Sequence, residues 1–184
     1  MGQRAVVTGS RTSSWNVQEG RVRVLRGFNE VLVKIGNWGT ILFLAVIAVV
    51  IPYEVVGRYV FQKMSIWSGE VSTYSLAWAS MLGSAVGLKK GYQVSMTSVV
   101  GSVPPAVARI LKWAAYLFTL FFFGFLFYYG LYQTLYNLKQ TSPAIGLVMS
   151  IPYASLPAGF FIMFFLTLEE FLGFISPGAR GEAK

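Results

Sequence analysis

Long apolar runs alternate with short polar connections along this chain. The runs cover about residues 36–57, 66–88, 113–136 and 151–171. Each is close to the roughly 20 residues an α-helix needs to cross a hydrocarbon core of about 30 Å. The pattern predicts an all-α integral membrane protein with four transmembrane helices, in one membrane domain over 21–175. Residues 1–20 are polar and lack hydrophobic periodicity, which predicts a flexible cytoplasmic tail, and 176–184 read as a second one. No apolar run follows the first charges, so a cleaved signal peptide is not expected. Between tail and first span, Val24, Leu25, Phe28, Val31, Leu32 and Ile35 share one side of a helix. Arg21, Arg23, Arg26 and Lys34 form a basic remainder. That segment suits a short amphipathic helix lying on anionic phospholipid headgroups. It equally suits the first turns of the span that follows.

The second run, Ile66 to Gly91, carries two faces. Trp67, Glu70, Tyr74, Trp78 and Met81 fall in one stripe, aromatic with a single carboxylate. Ser80, Gly83, Ser84 and Gly87 fall roughly opposite, small enough for another helix backbone to approach closely. A helix that met only lipid needs neither face, so both are expected to pack against protein. The third run (LFTLFFFGFLFYYGLY) is aromatic all round, and its rings are expected to face lipid and neighbouring helices rather than to line a π-rich site.

Prolines and glycines set the expected breaks. Pro52 should bend the last turn of the first span. Residues 91–105 read as a loop ending in Pro104-Pro105, because a residue before proline is steered away from the α region. Residues 137–150 read as a second outer loop, kept from long helix by Pro143 and Gly146. The fourth span carries Pro157 and Gly159 in its first turns and closes on Glu169 and Glu170.

Composition agrees with a membrane protein: 55% of residues are hydrophobic and 12% charged, against about 25% charged in a typical soluble domain. The net charge of +8 could suggest nucleic acid, but the positions of the charges describe topology. Arg4, Arg11, Arg21, Arg23, Arg26 and Lys34 precede the first span, Lys89, Lys90, Arg109 and Lys112 flank the second connection, and Arg180 and Lys184 end the chain. Arg58, Lys63 and Lys139 lie on the other side. Basic residues accumulate on cytoplasmic loops, so both termini are expected in the cytoplasm.

Candidate chemistry is sparse. The chain has no cysteine, histidine or aspartate, which removes thiol chemistry, the commonest general base and the usual haem ligands. No phosphate-binding loop, metal-ligand cluster or activated serine appears, so neither an enzyme nor a cofactor is expected. Glu54 and Arg58 are four apart in the favourable order for a helical ion pair, with a substrate contact as the other reading. Glu70 lies near the start of its helix, where free N–H groups favour an anion. It either meets a cation or N–H donor on a partner subunit, beside Trp67, or stays a hydrated interfacial carboxylate paired with Arg58. A carrier for a polar solute needs a polar site near mid-membrane, and these spans cannot easily build one.

Arg58-Tyr59-Val60-Phe61, then Trp67, Glu70, Trp78, Leu82-Gly83 and Lys90-Gly91, together resemble the small membrane subunit of tripartite ATP-independent periplasmic (TRAP) transporters, the DctQ-like family. Ser150-Ile151-Pro152 and Pro157-Ala158-Gly159 fit as well. Gly69 stands where the family usually has a first acid, and Tyr92 where it often has histidine. The resemblance implies a bacterial inner-membrane scaffold in a sodium-coupled importer of an organic acid. A large membrane subunit would hold the sodium and substrate sites and move as an elevator, and a periplasmic solute-binding protein would deliver the acid. Arg58, Trp67, Glu70, Tyr74, Trp78, Gly83 and Gly87 are then candidate partner-interface residues, and Arg58, Lys63 and Lys139 candidates for docking the binding protein. The competing reading is a self-assembling small membrane protein or pore-former, which would want a polar stripe repeated on several spans. A redox-complex anchor is disfavoured by the missing histidines.

Overall fold

The computed structural model describes residues 11–62, 65–99 and 105–175. These form helices α1 (Arg11–Tyr59), α2 (Ile66–Val99), α3 (Pro105–Tyr136), α4 (Ser150–Tyr153) and α5 (Ser155–Ile175), with a 3-10 turn at Asn137–Lys139. The predicted all-helical class holds. Three of the described helical segments, Leu25–Tyr59, Val107–Lys139 and Ser150–Ile175, are long and apolar enough to cross a membrane. Helix α2 is long enough at 34 residues, but its serines, glycines and tryptophans leave it less apolar than the others.

Two expected boundaries are corrected. The amphipathic segment is not a separate surface helix: α1 runs unbroken for 49 residues, through the expected interfacial helix and through Pro52. Its apolar stripe continues from Leu25 into the first span, and it leans on α5, where Phe28 meets Phe165 edge-on at 5.6 Å. The helix already begins at Arg11, inside the stretch expected to be a tail. The second correction concerns residues 91–105, expected as a loop. Helix α2 continues through Gly91 to Val99. An isolated glycine costs a helix only about 1 kcal/mol, and no proline intervenes before Pro104. Proline then opens α3 at Pro105, where its missing N–H is no loss.

Helix α2 packs against α1 and α5, and α5 touches α1, α2 and α3, so α5 is the hub of the bundle. The core lies along it: Leu82 and Ala85 of α2, Phe123 of α3, and Ile162, Met163 and Leu166 of α5 are buried together. Close approach depends on glycine. A Cβ at Gly159 would fall 2.9 Å from Met81 Cβ, and one at Gly39 would fall 2.7 Å from Leu82 Cδ1. Helix α3 turns Phe123 and Phe127 inward, the latter against Phe161 at 5.7 Å. Phe118, Phe121, Phe125, Tyr128 and Tyr132 point outward, some stacked one turn apart, as Phe121 and Phe125 are at 6.4 Å.

Candidate functional site

The polar contacts that tie one element to another concentrate at the two ends of the bundle. At one end, α2 presents Glu70, Tyr74 and Trp78 on three successive turns. The spacing i, i+4, i+8 puts them on one face, and all three reach the strap that connects α3 to α5. The strap folds back on itself. Ser142 N–H donates to Leu147 O at 2.8 Å, Met149 N–H donates to Gln140 O at 2.8 Å, and Thr141 and Val148 form an antiparallel bridge. Gly146 makes the reversal at φ +68°, a conformation that side chains disfavour.

Glu70 divides its two oxygens between neighbouring strap residues. Ser142 hydroxyl donates to Oε2, and Ala144 N–H donates to Oε1 at 3.2 Å. Uncharged donors on a carboxylate make charge-assisted hydrogen bonds, stronger than neutral ones. One turn on, Tyr74 hydroxyl donates to Met149 Sδ at 3.4 Å. Another turn on, Trp78 Nε1–H donates to Ile151 O at 3.2 Å, while its ring stacks on Phe43 of α1 at 5.6 Å. Trp67 is partly exposed and pairs with Tyr53 at 5.8 Å. Of the stripe read from the sequence, Glu70, Tyr74 and Trp78 therefore face the protein's own strap, whereas Trp67 meets α1 and Met81 meets α5.

The other candidates are more scattered. Arg58 and Lys139 are exposed, and Lys63 lies outside the described residues. Among the described residues Arg58 pairs with neither Glu54 nor Glu70; their ion pair is Arg26–Glu169, at 3.8 Å. Gly83 faces α1, its Cβ position 3.5 Å from Thr40 Cγ2, whereas nothing lies within 4 Å of that at Gly87. Ser80 and Ser84 are exposed beside Gly87, each bonded back to its own helix.

The opposite end holds a residue the sequence reading passed over. Asn29 of α1 is fully buried. Its Nδ2 donates to Phe165 O at 3.0 Å and to Glu169 Oε2 at 2.7 Å, tying α1 to the last turns of α5. The signal was present, since Asn29 interrupts the apolar stripe between Leu25 and Leu32. The described residues hold no group of three or more acidic, histidine or cysteine side chains.

Long apolar helices, fastened at their ends by hydrogen bonds, define an all-helical membrane protein with several apolar spans. Residues 26–176 match the family described as tripartite ATP-independent periplasmic transporters, DctQ component, and the chain belongs to that family. It is a small permease subunit of a TRAP transporter. It is 27% identical over 111 residues to the ectoine TRAP transporter small permease protein TeaB of Halomonas elongata, a match over 59% of this chain and 58% of that protein. It is 28% identical over 142 residues to a putative TRAP transporter small permease protein of Haemophilus influenzae, covering 77% of this chain and 88% of that one.

Proposed function

We propose that this chain is the immobile scaffold subunit of a sodium-coupled TRAP-type importer of an organic acid, spanning the bacterial inner membrane four times with both ends in the cytoplasm. Helix α2 completes the four spans. Its modest apolarity fits a helix walled by α1 and α5, with Ser80, Ser84 and Gly87 turned towards a large membrane subunit. The twelve basic residues on one side and three on the other support a reading in which the strap lies outside. There it presents a shaped surface to a periplasmic binding protein, with Arg58, Lys63 and Lys139 as its charges. Sodium and substrate are handled by the large subunit: between Ile35 and Tyr53, Val71 and Leu88, Trp113 and Leu138, and Ser155 and Leu168 the chain has no ionisable acid or base except tyrosine. Ectoine belongs to the name of the Halomonas relative, and the organic-acid class here rests on the family resemblance.

The observation that carries the scaffold reading is the Glu70–Tyr74–Trp78 face bonded to a folded strap. A moving carrier domain gains nothing from an outer connection held this way, whereas a docking platform does. The test is Glu70→Ala in the assembled transporter. Amide exchange over 140–149 should accelerate at least tenfold and uptake should fall, while the large subunit still co-purifies. Unchanged uptake beside a loosened strap would refute the platform role. Co-purification of self-oligomers alone would favour the pore-forming reading.

A further inference from the structure

The turn that leads from α1 towards α2 stands clear of the bundle: Tyr59 is 77% exposed, and Val60 and Phe61 each 67%. Just below it Tyr53 pairs with Trp67, residue types that gather at the headgroup level of a membrane. Tyr59 lies six residues beyond Tyr53 on the same helix, about 9 Å further along the axis. The headgroup layer adds only about 5–8 Å to each side of the hydrocarbon core. The tip at residues 59–61 is therefore carried past the lipid, where a cluster of exposed apolar side chains marks a contact with protein. The backbone of the tip points the same way. Gln62 holds φ 50°, in the left-handed region that residues with a Cβ rarely enter, and strain of this kind collects at binding sites.

Charge describes the partner. Arg58, at the foot of the tip, is exposed and forms no ion pair among the described residues. Glu54, one turn back in the order that favours a helical pair, is half-buried and leaves it free, and Glu70 is held by Ser142 and Ala144. This end of the bundle thus offers an exposed guanidinium and, among the described residues, no exposed carboxylate. Arginine beside aromatic side chains is the composition of an interface anchor. We propose that the tip is the anchor on which the periplasmic solute-binding protein docks, through an apolar depression on that protein rimmed by Asp or Glu. Arg58 takes a rim carboxylate in a bidentate pair, and Tyr59, Val60 and Phe61 enter the depression. The tip adjoins the strap, since Phe61 and Ala144 line one cavity. The proposal rests on the outward placement and the platform role proposed above, and names the chemistry by which the platform is recognised.

Surface plasmon resonance of the transporter's own binding protein on the two-subunit membrane complex in nanodiscs tests it. Arg58→Glu and Tyr59→Ser should each weaken binding at least about tenfold, while the melting temperature of the complex holds. Wild-type affinity in both variants overturns the proposal. A second measurement separates it from the reading beneath. The chain has no cysteine, so Val60→Cys gives this subunit a single thiol. A membrane-impermeant maleimide should label that thiol from outside intact cells stripped of their outer membrane, and added binding protein should slow the labelling. Labelling from outside that the binding protein does not slow overturns the anchor and leaves the outward placement standing. Labelling only after lysis overturns both. A photo-crosslinker at Phe61 that captures lipid or the large subunit instead of the binding protein overturns the anchor alone.

Discussion

Gly159 is where the bundle tolerates least. An alanine there would place its Cβ 2.9 Å from Met81 Cβ and 3.2 Å from Met81 O, while carbon atoms prefer about 3.5–4.0 Å. One obstacle is backbone and the other a Cβ, so no rotamer change relieves the contact, and α5 must part from α2. Such overpacking costs about 1–3 kcal/mol. Against it stands alanine's advantage over glycine in a helix, about 1 kcal/mol. Gly87→Ala brings a similar advantage into open space, and Gly124→Ala brings it into ordinary contact, 3.7 Å from Phe164 Cε2. The difference between Gly159→Ala and these controls therefore isolates the clash. Melting of the detergent-solubilised protein, followed by tryptophan fluorescence, should place Gly159→Ala below both controls by several degrees, at about 2–4 °C per kcal/mol for a chain of this size. If Gly159→Ala melts with Gly87→Ala, the close approach of α2 and α5 is refuted.

Other substitutions probe the two fastened ends and the small face. Asn29→Leu removes two buried hydrogen bonds, one to the Glu169 carboxylate, and should destabilise by about 2–3 kcal/mol; a double-mutant cycle with Glu169→Gln should show coupling near 1 kcal/mol, and additivity would count against the contact. Trp78→Phe keeps the ring stack on Phe43 but loses the bond to Ile151 O, so about 0.5–1.5 kcal/mol should go, with faster amide exchange confined to residues near 150–153. Gly83→Leu should lower the melting point of the isolated subunit, because it drives into Thr40. Gly87→Leu should leave that melting point unchanged and weaken only assembly with the large subunit; full assembly would mean that this face meets lipid.

Much of this was legible in the chain. The apolar runs announced the long helices, and the 3.6-residue period put Glu70, Tyr74 and Trp78 on one face. What that face meets was not legible, because partner identity is a tertiary fact: a carboxylate with two open acceptors takes N–H and O–H groups from its own chain or from another equally well. Ser142 and Ala144 carry no pattern that marks them as donors. Gly91 misled for a related reason. In water or at an interface a lone glycine only taxes a helix, and α2 runs through Gly91 to Val99. Asn29 could have been found by asking why an apolar stripe contains an amide. The closest glycine contacts, at Gly39 and Gly159, needed the crossing of two helices and could not be ranked from small-residue spacing, which drew attention to Gly87 instead.

The position of α5 at the hub has a consequence for biogenesis. Helices α1 and α2 contact each other directly and can pair as a hairpin as soon as both are made. Helix α3 then has its main partner still unmade, because its packing is against α5. Until the ribosome has delivered residues 155–175, the faces of α2 and α3 that pack on α5, with Met81 and Phe123 among them, lack their cover. A nascent chain stalled before Ser155 should therefore be a substrate for membrane quality control, and release of α5 should be the event that ends its vulnerability.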